Sequence, residues 1–343
     1  ITLISGRGVT LHAAVEYALW CVRNLQAQGR TASVWMNELP EVRAHFDMKL
    51  DRQCERSVAV PSVFAHYLPN LLYLDRAWLE EQLPRLFGDL GPAWHVYLLY
   101  GHLHGATASF LAPYYLRAAI EAKTVTSERT HAKELERRLP EHLLLLHAYL
   151  GTRMPQLEEI LAAFFRHAPV RQRAHLIGFA GWHVDETKDI SSEACQRIMD
   201  LVENRVRTVT QADDPAAKEE LSEWAALCRP EAFPDEWVLR VARMVVRGTP
   251  ASYSEMWVGE RMARIADTDL AGALEVLTSI SVGDLGPLGL QDWLDPAEKI
   301  LGPAIAAGGA VHQRAIATIN NFTERGYSQF ERLLPQQRAP RDA

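Results

Sequence analysis

No run in this 343-residue chain approaches the ~18 uninterrupted apolar residues that a membrane-spanning helix requires. The opening ITLISGRG lacks the charged-then-apolar profile of a secretory signal. It also lacks an initiator methionine, as expected of a piece cut from something longer. Cysteine is scarce. Cys21, Cys54, Cys195 and Cys228 are far apart and form no C-x-x-C pair. Each sits in an apolar helical pattern, so the expectation is four buried free thiols in a reducing, cytoplasmic compartment. Phosphate-loop, nucleophile-elbow, dinucleotide and zinc-helix signatures (G-x-x-x-x-G-K-[ST], G-x-S-x-G, G-x-G-x-x-G and H-E-x-x-H) are all missing. The SGRG of Ser5 to Gly8 is too short for a phosphate loop, and no lysine follows at the required spacing. Basic excess is absent too: the formal net charge is −7, which argues against a generally basic nucleic-acid binder but leaves room for a local basic stripe.

What is present is helical periodicity. Leu157, Ile160, Leu161, Phe164 and Phe165 fall at i, i+3, i+4, i+7 and i+8, one buried face of an α-helix. Leu135, Leu139, Leu143, Leu146 and Leu150 keep the same rhythm before them. Pro169 opens a third helix after them. Three such helices with short joints cannot bury their apolar faces alone and need neighbours on both sides.

The rest of the chain reads the same way. A short β-like run over residues 1–9 precedes a helix from Thr10 to Gln28, stopped by Gly29. Helices follow from Leu39 to Glu55, between Pro61 and Pro69, after Asp75 as a cap, and from Pro92. Gly101 and Gly105 interrupt the last of these. Another helix carries Phe110 and Tyr114 through Pro113. Asp214-Pro215, Ser252 to Glu255 and Asp295-Pro296 read as helix starts. Val311, Ala315, Ile319 and Phe322 make a long face, Gly326 ends it, and Tyr327 to Leu334 form a terminal helix. The fold class is all-α: an irregular α-solenoid of HEAT-like or TPR-like stacked helical hairpins. No fixed repeat is found, and the tetratricopeptide and ankyrin signatures themselves are absent. The polar GWHVDETKDISS of Gly181 to Ser192 is the expected internal boundary. It divides an N-terminal subdomain, residues 1–182, from a C-terminal one, residues 183–343, packed as one continuous helical array.

Candidate chemistry is thin. His102 and His104 are two apart, which diverges by about 200° on a helix, and His142 and His147 are five apart. Neither pair shares a face, and no metal or cofactor is expected. His183 beside Asp185 and Glu186 resembles a general-base fragment without a nucleophile near it; a solvated acidic loop is the simpler reading. Basic residues collect at the joints of the central helices: Arg153, Arg166, His167, Arg171 and Arg173, with Arg129, Lys133, Arg137 and Arg138 on the preceding helix. Converging on one edge, they would bind an anion, either a phosphate or a partner's acidic face. Pairing with Glu134, Glu136, Glu141, Glu158 and Glu159 is the competing expectation. Trp78, Trp94, Trp224, Trp237 and Trp257 match helix faces and read as interhelix wedges.

Several phrases carry a resemblance: Trp94 to Ile120 (WHVYLLYGHLHGATASFLAPYYLRAAI), Pro140 to Gly151 (PEHLLLLHAYLG), Ile160 to Trp182 (ILAAFFRHAPVRQRAHLIGFAGW), Phe233 to Trp237 (FPDEW) and Arg325 to Leu334 (RGYSQFERLL). From about Val58 onward the chain resembles the C-terminal helical region of large bacterial signal-transduction NTPases associated with antiphage defence. The resemblance implies a nucleotide-binding module upstream, in cis, and a sensor, oligomerisation or scaffold role for this segment. No NTPase residue is carried over, because no Walker-type motif occurs here. Together these readings give a non-catalytic recognition or scaffold domain with a protein partner. Nucleic-acid or phosphate binding along the basic edge is the alternative.

Overall fold

A computed structural model describes residues 6–51, 53, 55–101, 105–121, 132–212, 214, 218–248, 256–282 and 293–334. Among them every regular element is helical, so the chain is all-α. None of these helices is long and apolar enough to cross a membrane. The chain divides into two compact units, Ile1–Pro169 and Val170–Ala343. The division falls before the expected boundary at residues 182 and 183, because the polar stretch beginning at Gly181 continues a helix as far as Glu186.

The first unit runs α1 (Gly6–Ala27), α2 (Pro40–Leu50), α3 (Ala59–His66), α4 (Leu68–Leu74), α5 (Arg76–Phe87), α6 (Pro92–Tyr100), α7 (Gly105–Phe110), α8 (Ala112–Ile120), α9 (Ala132–Tyr149) and α10 (Leu157–His167). The second runs α11 (Val170–Glu186), α12 (Ser192–Gln211), a 3-10 turn at Trp224–Cys228, α13 (Asp235–Gly248), α14 (Met256–Ile265), α15 (Leu270–Val282), α16 (Leu294–Ala307) and α17 (Gly309–Glu324). Lengths range from 6 residues in α7 to 22 in α1, and no fixed period emerges.

Local chemistry sets many of the ends. Gly29 at φ 78° closes α1: its N–H bonds Gln26 O, and the N–H of Arg30 reaches back to Leu25 O at 3.0 Å. The Asp75 side chain accepts from Trp78 N at 2.9 Å, capping α5 as expected. Ser191 does the same for α12. Other expectations are corrected. Gly6 is already helical, so the β-like reading fails wherever residues 1–9 are described. Pro113 lies in the first turn of α8, which makes α7 and α8 two helices and not one. Asp295 sits inside α16 and does not cap it. Residues 328–333 form a 3-10 helix. Pro215, Ser252 to Glu255, Cys54, His102, His104 and Arg129 lie outside the described residues.

Large aromatics fill the first unit. Phe46, Phe64 and Trp78 pack at 5.3–6.2 Å between ring centroids, joining α2, α3 and α5. Phe87, Trp94, Tyr97 and Tyr115 form a second cluster, within which the Tyr115 hydroxyl lies 2.8 Å from His142 Nδ1 and 3.3 Å from the Tyr97 hydroxyl. His142 also bonds the Leu98 backbone, and burial holds its imidazole down to about 4. The same burial pushes Tyr97 up to about 12. These three polar rings are therefore neutral and mutually satisfied. In the second unit Trp224, Trp237 and Trp293 are buried, as are the thiols of Cys195 and Cys228.

Because the folded pKa of His142 lies below its unfolded value near 6.5, its contribution is complete above that value and is lost as pH falls toward 4. Acid should therefore lower stability by about 3 kcal/mol across this window. Urea melts at pH 7 and pH 4 check this. His142→Asn should flatten the dependence.

Candidate functional site

The four arginines singled out from the sequence fall two to each unit. Arg153 ends a 3-10 turn before α10, and Arg166 lies in the last turn of α10. Arg171 and Arg173 occupy the first turn of α11. Arg153, Arg166 and Arg171 are exposed and make no ion pair among the described residues. On the preceding helix, Arg138 is taken by Glu134 and Glu141, as the competing expectation had it.

Arg173 is not free for a ligand. Its Nη1 lies 3.3 Å from Glu220 Oε2. Glu220, in a 3-10 turn after α12, has no exposed surface. Arg205 of α12 grips the same carboxylate from another side, with Nε 2.5 Å from Oε1 and Nη2 2.7 Å from Oε2. This is a two-point fork, the geometry a guanidinium makes with a carboxylate. Two cations around one buried anion make a structural clamp, and Arg173 belongs to it.

The His183–Asp185–Glu186 fragment is likewise absorbed. It lies on α11, not in a loop. His183 stacks on Phe179 with centroids 5.6 Å apart, and burial lowers its pKa. Asp185 Oδ2 accepts from Arg229 Nε at 3.1 Å and from Nη2 at 2.8 Å. The Arg229 guanidinium then lies 3.7 Å above the Trp182 ring and 5.0 Å from Trp257. That cation–π staple joins α11, the end of the Trp224–Cys228 turn and α14. Trp257, expected as a core wedge, is only half-buried there, whereas Trp78, Trp94, Trp224 and Trp237 are fully packed.

A different feature forms an open groove of about 410 Å³ along α13. Leu239, Met244 and Ile265 give it an apolar floor, and Arg240, Arg243 and Arg247 line it as a row. These arginines are spaced i, i+3 and i+7, which keeps them on one helix face. Each is pre-set by a carboxylate from a neighbouring helix. Arg240 Nε and Nη2 lie 3.1 and 3.0 Å from the two oxygens of Glu203 on α12. Glu275 on α15 accepts a hydrogen bond from Arg247 Nε at 2.8 Å and forms an ion pair with Arg243, whose Nε lies 3.1 Å away without a hydrogen bond. Asp269 stands 3.7 Å from Arg243 Nη2. The Nη1 edge of all three guanidiniums carries no hydrogen bond among the described residues. Arg240 also holds the Glu203 carboxyl below its usual range, with Arg207 adding to the effect.

Sequence reasoning missed this groove. In the sequence this helix shows chiefly as the apolar stripe Trp237, Val238, Val241, Met244 and Val245. The signal was present as R-x-x-R-x-x-x-R within the same VLRVARMVVRG, but a charged row on the outer face of an amphipathic helix is what any surface helix shows.

Comparison with protein-family models, with curated proteins and with solved structures gives no match. Among the described residues no three His, Cys, Asp or Glu side chains gather as a metal would require.

Glu220→Gln should destabilise the protein by about 3–5 kcal/mol, because it leaves two guanidiniums around an uncharged amide. Arg171→Ala, at an exposed site without an ion pair among the described residues, should stay within about 0.5 kcal/mol. Denaturant midpoints of the two variants, compared side by side, measure the contrast.

Proposed function

We propose that this chain is a helical recognition or scaffold module, and that it works by binding a protein partner rather than by catalysis. The observation that carries the reading is the groove along α13: an open cleft lined by Leu239, Met244 and Ile265 and edged by a row of arginines. Interfaces draw much of their energy from residues of this type set around apolar pockets. Arg240 is held as a fork by Glu203, and Arg247 is hydrogen-bonded to Glu275. A ligand docking on them therefore meets part of the side-chain ordering cost already settled. The Trp182–Arg229–Trp257 staple, with Trp182 38% exposed, supplies a second surface of the same composition.

The sequence resemblance supports a placement for this module: in cis to a nucleotide-hydrolysing module of a bacterial, cytoplasmic defence protein, with any NTPase chemistry carried there. A second reading keeps nucleic-acid or phosphate binding through Arg153 and Arg166 of the first unit. It is favoured by their exposure without ion pairs among the described residues. Binding of that kind falls steeply with salt.

A photo-crosslinking residue at Met244 tests the main reading in the parent cells. Cross-links should form to protein, and should be lost in Arg243→Glu/Arg247→Glu but kept in Arg153→Glu/Arg166→Glu. The opposite pattern, with cross-linking to nucleic acid, would replace the main reading with the second. Turnover of a substrate by the purified chain would overturn both.

A further inference from the structure

We propose that two copies of this chain associate through the outer face of α1, packed antiparallel about a two-fold axis beside Trp20.

α1 is apolar on two sides. Its inner face, Leu11, Val15, Ala18 and Val22, is buried, chiefly against α3. Its outer face carries Ala13, Tyr17, Trp20 and Ala27, all exposed, at i, i+4, i+7 and i+14. Those intervals hold them on one stripe of the helix. The two aromatic rings stack on each other with centroids 6.2 Å apart. Yet Tyr17 is 48% and Trp20 56% exposed. An indole and a phenol left together in water, on a helix that has already buried its core face, mark a contact surface.

The charges beside this stripe select its partner. Glu16 and Arg23 are seven residues apart on the same flank of Trp20, and both are exposed. Neither makes an ion pair among the described residues. Glu16 accepts from the Tyr67 hydroxyl at 3.0 Å, a neutral donor. Burial holds the imidazole of His12, its other neighbour, below the usual range. An uncompensated negative charge and an uncompensated positive one therefore bracket the aromatic pair. Laid parallel, two such helices would set Glu16 against Glu16 and Arg23 against Arg23. Laid antiparallel, with the two-fold axis between residues 19 and 20, each Glu16 faces the Arg23 of the second copy, and the pair is made twice. Within α1 the other flank, Thr10, Ala14 and Cys21, carries no charge to oppose the approach.

Shape agrees with charge. Ala13 and Ala27 stand seven residues before and after Trp20, so the stripe reads small, large, small in either direction. Reversal about the two-fold axis puts Ala13 opposite Ala27 and Trp20 opposite Trp20. The small ends leave room for the indoles to lie along the helix axis. An isologous contact requires this property, one surface complementary to its own reversed copy. From Ala13 to Ala27 the contact runs about 15 residues, or about 22 Å. That is small for a specific interface, so the association is weak, on the order of micromolar.

Sedimentation of the intact chain over a concentration series tests this. The sedimentation coefficient should rise with concentration toward that of a dimer. Trp20→Ala should weaken self-association at least about tenfold. Glu16→Arg alone and Arg23→Glu alone should each leave the chain monomeric, because each sets like charges face to face. Far-UV circular dichroism and the denaturant midpoint should stay at their wild-type values in both. An equimolar mixture of those two variants should dimerise again, since one is then positive at both positions and the other negative at both. Arg243→Glu/Arg247→Glu should leave the dimer intact, which separates this contact from the α13 groove. Loss of the dimer in that variant would move the contact to α13 and overturn the proposal. A chain that stays monomeric throughout the series, dimers indifferent to Trp20→Ala, or a mixture that fails to dimerise would overturn it as well. Binding of a monomeric chain to phosphatidylcholine vesicles, abolished by Trp20→Ala, would make the stripe a lipid contact and replace it.

Discussion

Glu220 has no contact with solvent, yet it sits between two arginines. Removing a carboxylate from water costs several kcal/mol, which only close, well-aligned opposite charge can offset. The second unit therefore has one arrangement open to it near this residue. Arg173 on α11 and Arg205 on α12 must both reach the turn that carries Glu220. Hydrophobic burial alone would tolerate sliding of α11 against that turn; the charge does not. The glycines of α11 agree with this constraint. A Cβ at Gly181 would meet Ala226 O at 2.2 Å, so only glycine lets the helix approach the Trp224–Cys228 backbone.

A second buried cation carries the order onward. Arg261 of α14 is 4% exposed and donates to Pro230 O at 2.7 Å and to Phe233 O. Those carbonyls belong to the segment between the 3-10 turn and α13. Arg261 also lies against Asp235, at the first turn of α13. Burial lowers its pKa, and Asp235 counters that shift. The chain of constraint thus runs from Glu220 to the turn, from the turn through Arg261, and so to the start of the helix that bears the groove. The first unit solves its buried polarity by another route. Tyr97, Tyr115 and His142 stay neutral and satisfy one another, so no charge has to be matched.

Helix existence was legible because apolar stripes at helical spacing record burial directly. Phe46, Leu79, Phe164, Ile198 and Ile319 all lie on such stripes and are all buried. Caps with a side-chain mechanism, such as Asp75, were legible for the same reason. The failures share a cause. Asp185 looked like a loop residue because its partner, Arg229, lies far away in sequence. Arg173 looked identical to Arg171 until Glu220, 47 positions on, was placed beside it. Pairing across helices has no period, so composition cannot tell a clamped arginine from one that waits for a ligand.

The same limit explains why the α13 row escaped notice, and it bears on what the row is for. Exposed ion pairs contribute only about 0–1 kcal/mol each, so Arg240, Arg243 and Arg247 are poorly accounted for as stabilisers. Glu203 and Glu275 arrive from the helices flanking α13 and connect Arg240 to α12 and Arg247 to α15. An arginine has five donors in one rigid plane, so fixing one edge fixes the direction of the other. On the proposed reading, the edge of Arg240 and Arg247 bonded to those carboxylates ties helix to helix, and the Nη1 edge is the one left to a partner. A lysine in the same place would lose this, since its ammonium carries no second edge to direct.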